Sequence, residues 1–189
     1  MKVIKTNIDG VVIIEPRIAE CPNGFFIESF NESEFCSQVQ NVKFVQENES
    51  KSSYGVIRGL HFQRPPYAQG KLVKCVEGKT IDVAVDIRKG SPTYGQHVAV
   101  ELSEDNHRQL FIPRGFAHGF SVLSETAVFQ YKCDDTYHRE AECGISILDD
   151  SLGINWQIPK DKILLSEKDI KHPMLKDIES PFDIDVPLY

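Results

Sequence analysis

Apolar positions along the chain fall into short runs rather than long helical stripes. Val11–Ile14, Gly24–Ser29, Val56–Phe62, Leu72–Val76, Thr80–Ile87, His97–Leu102, Gln109–Ile112, Phe116–Leu123, Ala127–Lys132 and Gly144–Leu148 are rich in Val, Ile and Phe. β-Branched and aromatic residues suit a pleated, half-buried surface, and Gly, Pro and Asp punctuate the runs at short intervals, so the pattern predicts strands joined by turns. In LVKCVEGKTIDVAVDI two apolar runs flank Glu77-Gly78-Lys79, where Gly supplies the positive φ of a hairpin turn. Arg88–Gly95 carries similar punctuation. Helical periodicity is confined to weak pieces near Glu32–Gln38 and Ser166–Ile170. Many short antiparallel strands predict an all-β sandwich or barrel, and a jelly roll with a few short helices is the expected architecture.

No repeat or linker interrupts the 189 residues, so a single domain over 1–189 is expected. A domain of that size buries roughly 70% of the surface its unfolded chain exposes, enough for a core without staples. The composition, 41% hydrophobic and 26% charged, is that of an ordinary globular protein. A net charge of -7 disfavours nucleic acid and any broad polyphosphate surface, but leaves room for one anionic ligand in a local Arg/Lys pocket. The five cysteines (Cys21, Cys36, Cys75, Cys133 and Cys143) are odd in number and contain no CxxC spacing, so neither a disulfide framework nor a zinc knuckle is indicated. MKVIKTNIDG lacks the apolar run of a signal peptide, and no stretch is long and apolar enough for a membrane span. A soluble, cytoplasmic protein without membrane association is the expectation.

Unusual polar content concentrates in four of the strand-like segments. GVIRGLHFQ holds Arg58 and His61, QGKLVK holds Lys71, PRGFAHGF holds His118 and FQYK holds Tyr131. Singly, each has an ordinary explanation: a hydrogen-bonded structural histidine, a lysine snorkelling to water, a tyrosine with its hydroxyl at the rim. Wrapped into one lumen they become a set, and burying a cation, two imidazoles and a phenol together is unfavourable unless chemistry uses them. A metal is not expected, because His61-Phe62-Gln63 gives His-x-Gln where one strand face would need His-x-His. His97, His107, His138 and His172 lie beside charged or turn residues and read as solvent-facing. The chain has no GxxxxGK[ST] loop, no strand-linked GxGxxG and no GxSxG elbow. What remains is proton transfer without a cofactor.

FVQENESKSSYGVIRGLHFQ, GKLVKCVEGKTIDVAVDIRKGSPTYG, LFIPRGFAHGFSVLSETA and LSEKD, in this order and spacing, resemble the signatures of the dTDP-4-dehydrorhamnose 3,5-epimerase family, and the likeness runs from Ile13 to Leu175. It implies a cupin-type jelly roll, a homodimer and, without metal or coenzyme, inversion of C3 and C5 in a 4-keto-6-deoxyhexose carried on dTDP. By the same resemblance His61 is the base, Asp169 of LSEKD binds its far nitrogen, Lys71 stabilises the enolate oxygen and Tyr131 is the acid on the opposite face. Taken alone, Asp169 would read as a helix cap or a surface charge. The resemblance further implies that His118 borders the site, that Arg58, Gln46 and Asn48 hold the diphosphate, and that Glu28, Glu142 and Lys168 surround the nucleoside. Phe26 and Tyr137 would offer faces for the base to stack on, although Phe26 also reads as a core residue of its strand.

Two positions depart from the family pattern. Asn23 stands where Arg commonly precedes Gly-Phe-Phe and assists the diphosphate; its loss would weaken diphosphate binding or shift that task to Lys51 or Arg64. Cys143 likewise replaces a frequent Arg. Three alternatives stay open on sequence: inversion at only one carbon, a silent sugar-nucleotide-binding protein, and a metal-dependent cupin oxygenase or isomerase.

Overall fold

A computed structural model describes all 189 residues. Its strands in chain order are β1 (Lys2–Lys5), β2 (Val12–Glu15), β3 (Ile18–Cys21), β4 (Gly24–Ile27), β5 (Gln46–Ser53), β6 (Ile57–Gln63) and β7 (Lys71–Glu77). They continue with β8 (Lys79–Asp86), β9 (His97–Ser103), β10 (Gln109–Ile112), β11 (Phe116–Val122), β12 (Thr126–Cys133) and β13 (Glu142–Gly144), and α1 (Glu32–Gln38) is the one α-helix. A six-stranded sheet runs β1-β2-β10-β7-β12-β5 and a five-stranded sheet runs β13-β6-β11-β8-β9, all pairs antiparallel; β3 and β4 pair only with each other. The sheets face one another as an open jelly-roll sandwich rather than closing into a continuous barrel.

The inner core follows from strand alternation. Val73, Leu110, Ala127 and Phe129 of one sheet meet Ala84, Val98, Val100, Phe120 and Val122 of the other, each large apolar side chain contributing roughly 1.5–3 kcal/mol by leaving water. A second core lies on the outer face of the five-stranded sheet, where Ile145, Ile147, Leu152, Trp156, Leu175 and Phe182 of the C-terminal segment cover Ile57, Leu60, Ile81, Val83 and Val85. The third is small: Phe35 of α1 packs on Phe111 and Phe44 at ring separations of 5.2 Å. Asn31 caps α1 by accepting a hydrogen bond from the Glu34 backbone N–H.

The apolar runs become strands with four differences. β1, β3 and β5 were not expected, and the run at Gly144–Leu148 pairs only through Glu142–Gly144, its remainder leaving the sheet to cover the second core. The weak helical piece at Ser166–Ile170 is only a 3-10 turn, Asp169–Lys171. β5 is the instructive case: Gln46, Asn48, Ser50 and Ser52 point inward and alternate with exposed Glu47, Glu49, Lys51 and Ser53. Its inner face is polar where it borders a pocket through Gln46 and Asn48, so no hydrophobic alternation marks it. No helix is long and apolar enough to cross a membrane.

Candidate active site

The RGLH segment places its histidine through a close approach of two strands. Gly59 has φ +118, and a Cβ there would lie 2.5 Å from Gly119 Cα and 2.6 Å from the His118 carbonyl oxygen. Only Gly meets both demands. The β6–β11 register shifts beside this contact, between His118 and Phe120, and sets His61 opposite His118 on the inward face. Behind His61, the 3-10 turn brings Asp169 Oδ1 to 2.6 Å from His61 Nε2. Asp169 is buried, and its backbone N–H donates to Ser166 Oγ at 3.1 Å. Burial opposes charge on Asp169, but hydrogen bonds from His61 and Ser166 outweigh it and hold the carboxyl below its usual range. With Nε2 engaged, Nδ1 is the nitrogen His61 can offer to a ligand.

His61 opens onto a pocket of about 270 Å3 whose wall also contains Lys71, Tyr131, Gln46, Asn48 and Glu142. His61 and Glu142 stand on the five-stranded sheet; Gln46, Asn48, Lys71 and Tyr131 stand on the six-stranded one. The imidazole and the phenol therefore come from facing sheets. Lys71 Nζ lies 6.0 Å from the Tyr131 ring centroid. Burial lowers the Lys71 pKa, opposed in part by the carboxylates of Asp82 and Glu142. Burial raises Tyr131, with Arg58 pulling the other way, so the phenol keeps its proton at neutral pH.

A loop carrying Tyr137 is pinned beside this pocket. The Tyr137 backbone N–H donates to Gln46 Oε1 at 2.9 Å and the His138 N–H to Gln63 Oε1 at 2.6 Å, while Gln63 Nε2 donates to the Tyr67 carbonyl at 2.7 Å. The Tyr137 hydroxyl donates to Glu142 Oε2 at 2.7 Å, and Lys168 forms an ion pair with the other Glu142 oxygen. Burial opposes charge on Glu142, yet these two bonds hold it below the usual carboxylate range.

Not every expected residue reaches this wall. Arg58 is exposed and donates through Nε to Ser52 Oγ at 3.1 Å. His118 is buried between the sheets with Nε2 2.9 Å from Asp82 Oδ2. Burial keeps its pKa low despite Asp82, with Lys71 and His61 pushing the same way as burial. Asn23, Phe26 and Glu28 belong to the β3–β4 hairpin and its exit, outside this pocket. Phe26 is 71% exposed, and with Glu28 it borders a separate cavity of about 260 Å3 against Leu72 and Gln109.

One histidine corrects the sequence reading. His172, expected to face solvent, is 11% exposed in its side chain and packs edge-on to His61, ring centroids 5.4 Å apart at 88°. Its Nδ1 lies 3.9 Å from Asp169 Oδ1. Flanking Lys171 and Pro173 suggested a surface turn, whereas its spacing of three residues from Asp169 was the available signal. Gln63 and Gln69 also stand in the pocket wall, and neither was among the candidate residues.

A family model described as dTDP-4-dehydrorhamnose 3,5-epimerase matches residues 5–177. The dTDP-4-dehydrorhamnose 3,5-epimerase of Shigella flexneri is 56% identical over 171 residues, covering 90% of this chain and 93% of that protein. Among solved structures, the dTDP-4-dehydrorhamnose 3,5-epimerase of Elizabethkingia anophelis superposes with a TM-score of 0.89 at 50% identity, covering 94% of this chain and 97% of that one. The dTDP-6-deoxy-D-glucose-3,5-epimerase of Legionella pneumophila, crystallised with dTDP-4-keto-L-rhamnose, gives 0.92 at 47% identity, covering 96% and 97%. Fold and relatives together define an isomerase built on a cupin-like jelly roll. The chain belongs to the dTDP-4-dehydrorhamnose 3,5-epimerase family.

Proposed function

We propose that the protein inverts C3 and C5 of a dTDP-linked 4-keto-6-deoxyhexose by proton transfer through an enolate. The observation that carries this reading is the placement of His61 and Tyr131 on facing sheets around one pocket. Inversion needs a proton removed from one face of the sugar and returned to the other. His61 Nδ1 takes the proton from carbon; the electron pair of that C–H bond moves into the ring and onto the 4-keto oxygen, where the Lys71 ammonium stabilises it. Asp169 steadies the imidazolium that results. Tyr131 then gives its proton to the same carbon from the other side, and both groups are reset by exchange with solvent. One ketone acidifies both neighbouring carbons, so one set of groups serves both inversions.

For the nucleotide, Arg58 with Gln46 and Asn48 suits the diphosphate, Tyr137 offers a stacking face, and Glu142 and Lys168 offer polar partners to the nucleoside. His118 stays neutral behind the wall and orients it. Asn23, Phe26 and Glu28 lie outside the pocket of their own chain, and the hairpin that carries two of them exposes Ile18 (41%), Phe25 (58%) and Phe26 (71%). An apolar, unpartnered hairpin favours a homodimer in which it completes the partner's site. Mixing Phe26→Ala and His61→Asn chains then restores about a quarter of wild-type activity, since statistical hybrids contain one intact site. No recovery in a mixture shown to contain hybrids argues against exchange.

Turnover of dTDP-4-keto-6-deoxyglucose in heavy water is the deciding experiment. Deuterium at both C3 and C5 is expected. Label at one carbon would make the enzyme a single-carbon epimerase, and label at neither would overturn the reading.

A further inference from the structure

We infer that His61, Asp169 and His172 form a binding site for a divalent transition-metal ion, Zn2+ foremost, on the rear side of the His61 ring. Binding stands on geometry alone; its consequence for turnover rests on the function proposed above. One ligand atom from each of His61, Asp169 and His172 lies within 4.8 Å of the other two, and Asp169 Oδ1 is 2.6 Å from His61 Nε2 and 3.9 Å from His172 Nδ1. A tetrahedral Zn2+ bound at 2.0–2.1 Å holds its ligand atoms about 3.3 Å apart. The present separations straddle that value, so side-chain adjustments of roughly 1 Å bring all three onto one ion.

His172 is fixed in this corner by a second observation. Its ring lies over Gly144, where any Cβ would collide with it, and Gly144 is the register partner of His61 on β13. Its Nδ1 is buried with no hydrogen-bond partner, a condition that disfavours a structure unless a ligand meets it. Lys168, a cation whose charge reaches His172, is already paired with Glu142. Two imidazoles and one carboxylate select Zn2+, Co2+ or Ni2+ over Mg2+ and Ca2+, and a water completes the coordination.

Entry of the ion at Nε2 shifts the His61 ring proton to Nδ1, so that the imidazole binds the metal in its neutral form, and replaces the His61–Asp169 hydrogen bond by two bonds to metal. With Nε2 on the metal and the ring proton on Nδ1, His61 has no free lone pair for a proton from carbon, and Asp169 no longer compensates an imidazolium, so Nδ1 loses its function as base. The pocket lies on the other side of the ring, so substrate binding persists while turnover stops.

The test is calorimetric titration of the full chain with Zn2+, with Co2+ visible absorption as the signature of a four-coordinate site. Wild type, His172→Ala and His172→Gln are compared, and each variant is referred to its own metal-free rate. Expected are one tight equivalent in wild type, at least about 30-fold weaker in both variants, and none with Mg2+. In wild type Zn2+ lowers kcat, leaves KM within about two-fold and is reversed by a chelator. Equal Zn2+ affinity in all three proteins, or no binding below millimolar, would overturn the site. Calorimetry and the Co2+ spectrum read it even if the reaction is not an epimerisation. Binding as expected with KM rising and kcat unchanged would overturn the rear placement.

Discussion

The lumen contains two histidine–aspartate pairs that are neighbours in the sheet, yet their surroundings fit them for different work. His61 and His118 are register partners on β6 and β11, bonded to Asp169 and Asp82 at 2.6 and 2.9 Å. The His61 side chain is 28% exposed and backed by a nearly buried carboxylate supplied from a distant turn, whereas His118 and Asp82 are 8% and 0% exposed and both lie on central strands. Access separates them. A base must touch its substrate and then carry a charge, which His61 can do at the pocket wall with Asp169 behind it. His118 is held neutral by burial, and Asp82 Oδ1 has no hydrogen-bond partner, so its pair ties β8 to β11 rather than meeting a ligand. Two like pairs in one sheet thus differ in reach: one imidazole opens onto the pocket, and the other fastens two strands.

Substitution at the two histidines gives the largest contrast. His61→Asn is expected to lower turnover by roughly 10³-fold with dTDP affinity nearly unchanged, while His118→Asn loses about ten-fold or less per folded molecule. Equal losses in single-turnover assays would erase the distinction drawn between the pairs. The carboxylates extend it. Asp169→Asn should reduce kcat about 100-fold with little change in denaturation midpoint. Asp82→Asn should instead shift that midpoint by about 1–3 kcal/mol of stability; urea titrations of both variants would show whether the effects are divided in this way. The smallest effect concerns Lys71, whose charge acts on His118 as well as on the pocket. A depressed lysine is charged below its pKa and neutral above it, so activity should fall on the alkaline side below the ordinary lysine value of 10.5. Lys71→Arg keeps its charge and should move that limb upward whatever its absolute rate. Superimposable alkaline limbs would assign the loss to another group.

The inner strands were legible because their side chains alternate against an apolar core, as in Ala127, Phe129 and Tyr131 of β12. β5 was not, since its inner face turns toward a polar pocket, and a strand whose inward residues are Gln46, Asn48, Ser50 and Ser52 has no hydrophobic period to read. Candidate chemistry followed a similar divide. His61, Lys71 and Tyr131 stood out as polar residues within apolar runs, and the structure brings all three around one pocket from two facing sheets. Asp169 lies 108 residues from its partner, a separation no local pattern bridges; only the LSEKD resemblance singled it out. His172 was misread for the same reason, because its neighbours in the chain are polar while its neighbours in space are His61, Asp169 and Gly144.

Gly144 and His172 also place a constraint on how this corner can change over generations. Any side chain at 144 collides with the imidazole, so a histidine at 172 is acceptable only on a background that already has glycine at 144. The reverse holds less strictly: with a smaller residue at 172, position 144 is released to take a Cβ. Mutational paths into the His172 state are therefore ordered, glycine first, while paths out of it begin at 172. The two positions should behave as one heritable unit, each substitution neutral or damaging according to which residue the other carries.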